Sequence, residues 1–299
     1  MMDADTLRIG FIGAGRLGKA LAWQCADQGL RVCAAASIRH VQAQVLAERV
    51  QDCAVMTSQE VAQWCDLVFV TTPDEAIGPT ADALRWRAGT FVVHCSGATE
   101  VSALAKAASD GAFIGGFHPL QSFGDPQAAA RPLPGCTITV EAGEPLDAVL
   151  VAIAGRLGCA VNRLPPGARP LYHAAAGYTS QFVNAMLRKA SAMWRSWGST
   201  EQAAVQALVP LVRGTLASIA QTGLAQGMPG PVSRGDVASV RKHVAEMEAF
   251  DPVALDLYRQ LCERTVRLAL KGQRIEAPAA ARVRGVLACV QLPDLRRAA

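Results

Sequence analysis

The sequence predicts an α/β protein: a doubly wound, mostly parallel sheet in the N-terminal part, followed by an all-helical region. Three observations lead there. Up to about residue 165, short runs of apolar and β-branched residues alternate with stretches of helical period, the pattern of strands joined by crossover helices. A glycine cluster, Gly13 to Gly18, stands between the first run and the first helix. After Leu164-Pro165-Pro166-Gly167, a turn or linker signal, strand-like runs almost vanish. The expected division is residues 1–166 and 167–299.

Residues 7–12 form a short apolar run that ends in glycine and read as a buried strand. Residues 15–28 read as a helix, with Leu17, Leu21 and Ala22 on one side and Gly29 beyond its end. Residues 31–36 are a second strand and 40–49 a helix. Residues 66–71, stopped by Pro73, and 91–95, stopped by Gly97, are further strands; 112–117 and 137–140 complete the series. Helices are expected around 75–86, 99–109 and 145–157. In the second part, 172–194, 201–221, 237–248 and 252–270 read as helices. Asp251-Pro252 opens the last of these, an N-cap with proline at the first helical position. The alanine–proline stretch at 276–281 reads as a short loop.

The chain has 299 residues, 51% apolar and 18% charged, with a net charge of +4 from 29 basic and 25 acidic residues. A sizeable core is therefore expected. No basic block marks a nucleic-acid arm, and Arg296-Arg297 reads as a solvated end. Nine cysteines are scattered without a C-x-x-C pair, several of them, such as Cys33, Cys95 and Cys159, in apolar stretches. They read as free thiols of a reducing, cytoplasmic environment, with no metal site. The start of the chain lacks the pattern of a signal peptide. No uninterrupted run of about eighteen apolar residues occurs, so no membrane span is expected.

Gly13-Ala14-Gly15-Arg16-Leu17-Gly18 fits G-x-G-x-x-G in the required strand–turn–helix context. The first glycine permits the tight turn, the second lets a pyrophosphate approach the backbone, and the third lets helix and strand pack closely. The N–H groups at the helix start then meet the phosphates. This is the signature of a Rossmann dinucleotide site. The end of the second strand selects the cofactor. It reads Ala36-Ser37-Ile38-Arg39-His40, without the carboxylate that binds the ribose hydroxyls of NAD. Ser37 and Arg39 suit a phosphate instead, so NADP is expected over NAD. Thr71 and Pro73, after the 66–71 strand, are expected to border the same cofactor.

Candidates for chemistry follow later strands. Ser96, at the carboxyl end of the 91–95 strand, either touches substrate or caps the next helix. His94 reads as a core histidine. His118, Gln121 and Ser122 follow the 112–117 strand, and a histidine there can exchange protons near neutral pH. On a continuous 172–194 helix, His173, Ser180 and Asn184 share a narrow arc, with Gly177 near it and Gln181 at its margin. That uncharged polar stripe suits a cleft or a subunit contact. In the loop 229–236, Arg234 is placed to bind an acidic substrate, while Asp236 reads as an N-cap.

Together these segments resemble one family, the Rossmann-like oxidoreductases whose C-terminal part is domain of unknown function 2520. The resemblance rests on the GAGRLG turn, His94-Cys95-Ser96-Gly97, the HPLQSF segment from His118, Tyr172-His173-Ala174-Ala175-Ala176 and the GPVSRGD loop from Gly230. It covers nearly the whole chain. Gln181 departs from it, standing where the family is expected to carry Asn. The family looks related to pyrroline-5-carboxylate reductase, prephenate dehydrogenase and 6-phosphogluconate dehydrogenase-like enzymes. That relation implies a helical domain that dimerises and closes the site.

The expectation is therefore an NADPH-dependent reductase of a small acidic metabolite, a keto acid or cyclic imine, working as a homodimer. His118 would donate the proton, with His173 as reserve or partner; Ser96 and Ser180 would orient the substrate, and Gln121, Gln181, Asn184 and Arg234 would bind it. The rival reading is a non-catalytic NADP-binding redox sensor, which shares the glycine turn but does not require His118, His173 and Ser180 to converge.

Overall fold

The computed structural model describes residues 4–123, 133 and 135–288. Arg296, Arg297 and the ninth cysteine, Cys289, lie outside the described residues. The chain divides into two compact units, Met1–Phe182 and Val183–Ala299.

The first unit alternates strands and helices: β1 Ile9–Ile12, α1 Arg16–Asp27, β2 Val32–Ala36, α2 His40–Ala47, β3 Ala54–Val55, α3 Ser58–Trp64, β4 Leu67–Val70, α4 Asp74–Asp82, β5 Phe91–His94, α5 Ala105–Ser109, β6 Phe113–Pro119, β7 Thr137–Ala142, α6 Leu146–Arg156, β8 Ala160–Arg163 and α7 Arg169–Thr179. The sheet order is β3-β2-β1-β4-β5-β6-β7-β8. All neighbours pair in parallel except β6 with β7. Every residue of β1, β2, β4 and β5 is buried, which is why these strands read as continuous apolar runs rather than alternating ones. Two apolar clusters, one on Phe11, Phe69 and Phe117 and one on Val68, Val70 and Ile77, cover the sheet.

Three elements lie outside the expected series. β3 has two residues and β8 is a largely exposed edge strand, so neither carries an apolar run. Helix α3 is opened by a capping box between Thr57 and Glu60, a signal present in the sequence as Thr-x-x-Glu.

Helix α8 Gln181–Arg195 spans the boundary and belongs mostly to the second unit, which continues with α9 Glu201–Gln226, α10 Val237–Phe250, α11 Pro252–Lys271 and α12 Ala277–Ala288. Asp236 caps α10 and Asp251 caps α11, as their positions predict. Val240, Leu255, Val266 and Val283 centre this unit's own core.

Three expectations are corrected. The helix expected over 172–194 is two helices, broken at Ser180, whose backbone leaves the helical region (φ −124°, ψ −87°). The hydroxyls of Thr179 and Ser180 both donate to the Ala176 carbonyl, at 3.2 and 2.8 Å, and compete with the backbone for that acceptor. The compact units part after Phe182 rather than after residue 166, because Arg169 at the start of α7 is buried against the sheet. The expected loop at 276–281 instead contains the start of α12, with Pro278 in the first turn, where the missing N–H costs no hydrogen bond. Separately, by length and composition α9 could cross a membrane, with a mean hydropathy of 1.4 and 6% of that window buried. Gln206, Pro210 and Arg213 interrupt its apolar residues, so a search for an unbroken run passes over it.

Candidate active site

The glycine turn lies at the carboxyl end of β1. Gly13 has φ +110°, and a Cβ there would meet the Thr71 carbonyl carbon at 2.7 Å. A Cβ on Gly18 would collide with the Gly13 carbonyl and the Thr71 hydroxyl. Gly15 differs: nothing lies within 4 Å of its Cβ position. It is the N-cap of α1, and no side chain caps that helix. Two glycines thus close the turn and one leaves open space over uncapped N–H groups, the arrangement a pyrophosphate requires. Thr71 holds the turn from β4, its hydroxyl donating to the Gly13 carbonyl at 2.5 Å. Ala14 is buried beneath the turn, while Arg16 is exposed and Leu17 packs on the sheet's core. After β2, Ser37 is half-buried and Arg39 exposed at the N-cap of α2; Pro73 is the exposed N-cap of α4. The residues present fit a dinucleotide.

The histidines gather at the carboxyl ends of β5 and β6. A Cβ on Gly97 would lie 3.0 Å from His118 Nε2 and 2.9 Å from His173 Nδ1, so both imidazoles pack on the bare backbone of that glycine. His118 Nδ1 is 2.7 Å from the Tyr172 hydroxyl, with the rings edge-on. His118, Leu120, Gln121, Ser122, His173, Ala176, Thr179 and Ser180 line a cavity of about 420 Å³. The first unit therefore brings together His118, His173, Ser180 and Gln121 even though α7 ends at Thr179. Another cavity, about 620 Å³, lies in the second unit, lined by Val237, Val244 and Val286 together with the charged Arg241, Glu248 and Arg282.

Other expected site residues fall elsewhere. Ser96 is buried and its hydroxyl accepts from the N–H groups of Ala98 and Thr99 at 3.1 and 2.9 Å, the capping alternative of the two the sequence leaves open. Gln181 is exposed and lies over Gly177. Asn184 and Arg234 belong to the second unit, both exposed. His94 is a fully buried core histidine whose Nδ1 accepts from the Ser96 N–H.

One buried residue near the histidines escaped the sequence reading. Arg169 is completely buried, its Nε donating to Glu141 Oε2 at 2.5 Å and its Nη1 to the Ser96 carbonyl at 2.6 Å. Nη2 is buried without a hydrogen-bond partner among the described residues. A side chain on Gly116 would collide with this guanidinium, and one on Gly115 would crowd Ala142 and Leu146, so both members of the Gly115-Gly116 pair inside β6 are constrained. Only the interruption of an apolar strand by two glycines hinted at it. Burial, reinforced by the neighbouring His173 and the Arg169 guanidinium, pushes the His118 pKa down to about 4; Asp74 opposes the shift. Burial and Arg169 likewise push His94 down to about 3. At neutral pH both imidazoles are uncharged. Burial raises the Tyr172 hydroxyl, which stays protonated.

Similarity to known proteins follows the two segments. A Rossmann-like domain matches residues 2–119, and the domain of unknown function DUF2520 matches residues 136–265. The chain joins a Rossmann-like domain to a DUF2520 domain. A curated relative, the 2-(hydroxymethyl)glutarate dehydrogenase of Eubacterium barkeri, is 32% identical over 108 residues, which span 34% of this chain and 35% of that relative. This chain thus matches about a third of that relative's length. Among solved structures, a Bacteroides fragilis protein provisionally described as an NADP oxidoreductase is 24% identical (88% of this chain, 99% of that one, TM-score 0.68). A Plasmodium falciparum pyrroline carboxylate reductase with NADP bound is 12% identical (89% and 100%, TM-score 0.58). These likenesses establish a shared fold.

Proposed function

We propose that the chain is an NADP(H)-dependent oxidoreductase that reduces the carbonyl or imine of a small acidic metabolite, a keto acid or cyclic imine. The observation that carries the reading is the pairing of the open Gly15 turn with a histidine-lined cavity, both at the carboxyl ends of the parallel strands. Bound NADPH would supply the hydride. Gly15 and the first N–H groups of α1 would hold the pyrophosphate, and Ser37 and Arg39 the 2′-phosphate. The likeness to NADP-binding reductases and to a dehydrogenase supports the same assignment.

The expected role of His118 changes. An imidazole whose pKa is pushed down to about 4 has no proton to release at neutral pH. It can still donate a hydrogen bond from its neutral N–H and polarise the group being reduced. His173 is exposed in the same cavity and takes the completing proton from solvent. Gln121, Ser122, Thr179 and Ser180 offer N–H and O–H donors that suit a carboxylate. The test is a titration with NADPH and NADH followed by a turnover screen of keto acids and cyclic imines, read as NADPH oxidation. Tighter NADPH binding with turnover is expected. Binding without turnover across the screen would favour a sensor, and no binding of either nucleotide would remove the reading altogether.

A homodimer belongs to this proposal. Leu211, Leu216 and Leu224 along α9 are 64%, 60% and 65% exposed, an apolar surface that a second copy would cover with two-fold symmetry. Light scattering at micromolar concentration should give twice the chain mass. A monomer, or sedimentation with lipid vesicles instead, would overturn it.

A further inference from the structure

Arg169 underlies both histidines through the elements that carry them. On α7, His173 follows it by four residues and shares its helical face. On β6, Gly116 and His118 are two residues apart and so belong to the same face of the sheet. The guanidinium lies against Gly116, its Nη2 where a side chain would begin. Glu141 of β7 is the antiparallel partner of Gly116, and Arg169 Nε donates to its Oε2 at 2.5 Å. Just beyond β5, the Ser96 carbonyl accepts from Nη1 at 2.6 Å. That carbonyl belongs to the peptide that leads into Gly97, and Gly97 is the glycine on which both imidazoles pack.

Stability does not account for an arginine at this place. Arg169 is completely buried and Glu141 nearly so. Such a pair gains little over apolar side chains of similar volume, because both ions give up their hydration. Nη2 is also buried with no partner among the described residues, and an unpaired buried donor is destabilising. The geometry accounts for it better. A planar fork reaches acceptors on two different segments at once, which the single nitrogen of a lysine does not.

We propose that Arg169, braced by Glu141, is a positioning residue: it holds the Ser96–Gly97 peptide against the start of α7, so that Gly97 seats His118 and His173 side by side. It acts through the glycine backbone rather than from within the cavity. Its consequence for turnover rests on the reading of the two histidines as working residues of a reductase. The seating itself is a property of the resting protein and is measurable without substrate.

The test follows Gly97 by NMR in the full chain labelled with ¹³C-glycine and ¹³C-histidine. Cross-peaks from the Gly97 α-protons to ring protons of both imidazoles are expected in the wild type, assigned by their loss in His118→Ala and His173→Ala. Two variants separate seating from stability. Arg169→Met combined with Glu141→Leu removes both charges together and leaves no buried ion unpaired, so its denaturant midpoint should stay near that of the wild type. Arg169→Lys keeps the charge beside Glu141 but does not also reach Ser96. Both variants should fold and lose the cross-peak to His173, the histidine that α7 carries. With the first active substrate, kcat should fall by about 10²-fold and KM change little, as for a misplacement of about 1 Å. Either cross-peak missing from the wild type, both retained in a folded variant, or an unchanged kcat would overturn the proposal. Should only Arg169→Lys fold, its cross-peaks decide; should neither variant fold, Arg169 serves stability and the proposal fails. The cross-peaks are read without nucleotide or substrate, so failure here is distinct from failure of the reductase reading.

Discussion

The glycine turn and the histidine cavity both stand at the carboxyl ends of the parallel strands, yet they are built in opposite ways. Six consecutive residues make the turn, and its properties are properties of backbone: a positive φ at Gly13, a close contact at Gly18 and open space at Gly15. The cavity draws on residues from the end of β6 and from α7 to Ser180, while a fully buried guanidinium on α7 joins Glu141 and the Ser96 carbonyl. A local motif can be recognised because its function is a shape. The cavity's chemistry is an environment, and the same histidine acts as an acid or as a neutral donor according to what surrounds it.

The largest effect should come from breaking the cavity while sparing the turn. His118→Ala removes a donor aimed at the reacting group, so turnover should fall by about 10²–10³-fold, the usual cost of one such donor. NADPH affinity should stay nearly unchanged. His173→Ala should lower turnover as well, with the loss partly recovered by added imidazole. Steady-state kinetics on the first active substrate decides the matter: unimpaired turnover in both variants would detach the chemistry from these histidines.

Breaking the turn's cofactor choice is a smaller and complementary change. Arg39→Ala should weaken NADPH by roughly 1.5–3 kcal/mol, typical of a hydrogen bond to a charged group, and leave NADH alone. Calorimetry checks it, and equal affinities for the two nucleotides in the parent protein would contradict the assignment of Ser37 and Arg39 to a phosphate.

Legibility followed the same division. Each buried strand from β1 to β5, except the two-residue β3, was readable as an apolar run, and the glycine turn carried its meaning in its spacing. His118 and His173 could be picked out as residue types in suggestive places. Their convergence could not be derived correctly, because the helical phase used to align His173 with Ser180 and Asn184 assumed a continuous helix, and the hydroxyls of Thr179 and Ser180 break it. Arg169 was hidden for a different reason. An arginine after a proline–glycine turn looks like surface, and only tertiary contacts with Glu141 and Ser96 reveal it as buried.

The last predicted effect concerns pH, and it separates the two regions without any substrate. In the unfolded chain a histidine titrates near 6.5; in the folded protein burial holds His118 down to about 4 and His94 down to about 3. Between these values the unfolded chain binds more protons than the folded one. Stability from the two uncharged imidazoles is therefore complete above about pH 6.5 and is lost as the pH falls through 4, with a slope of at most about 1.4 kcal/mol per pH unit for each histidine. His173 and Arg169 from α7 steepen the effect at His118, and Asp74 from α4 moderates it. Denaturant unfolding at several pH values between 7 and 4.5 should show this decline, and His118→Gln, which removes one of the two groups, should make it shallower. The glycines of the turn carry no titrating side chain, so the same substitution should leave the NADPH affinity at pH 7 where it was. A flat stability profile across that range would mean that the imidazoles of the cavity reach solvent freely. His118 would then recover the capacity to release a proton that its burial now denies it.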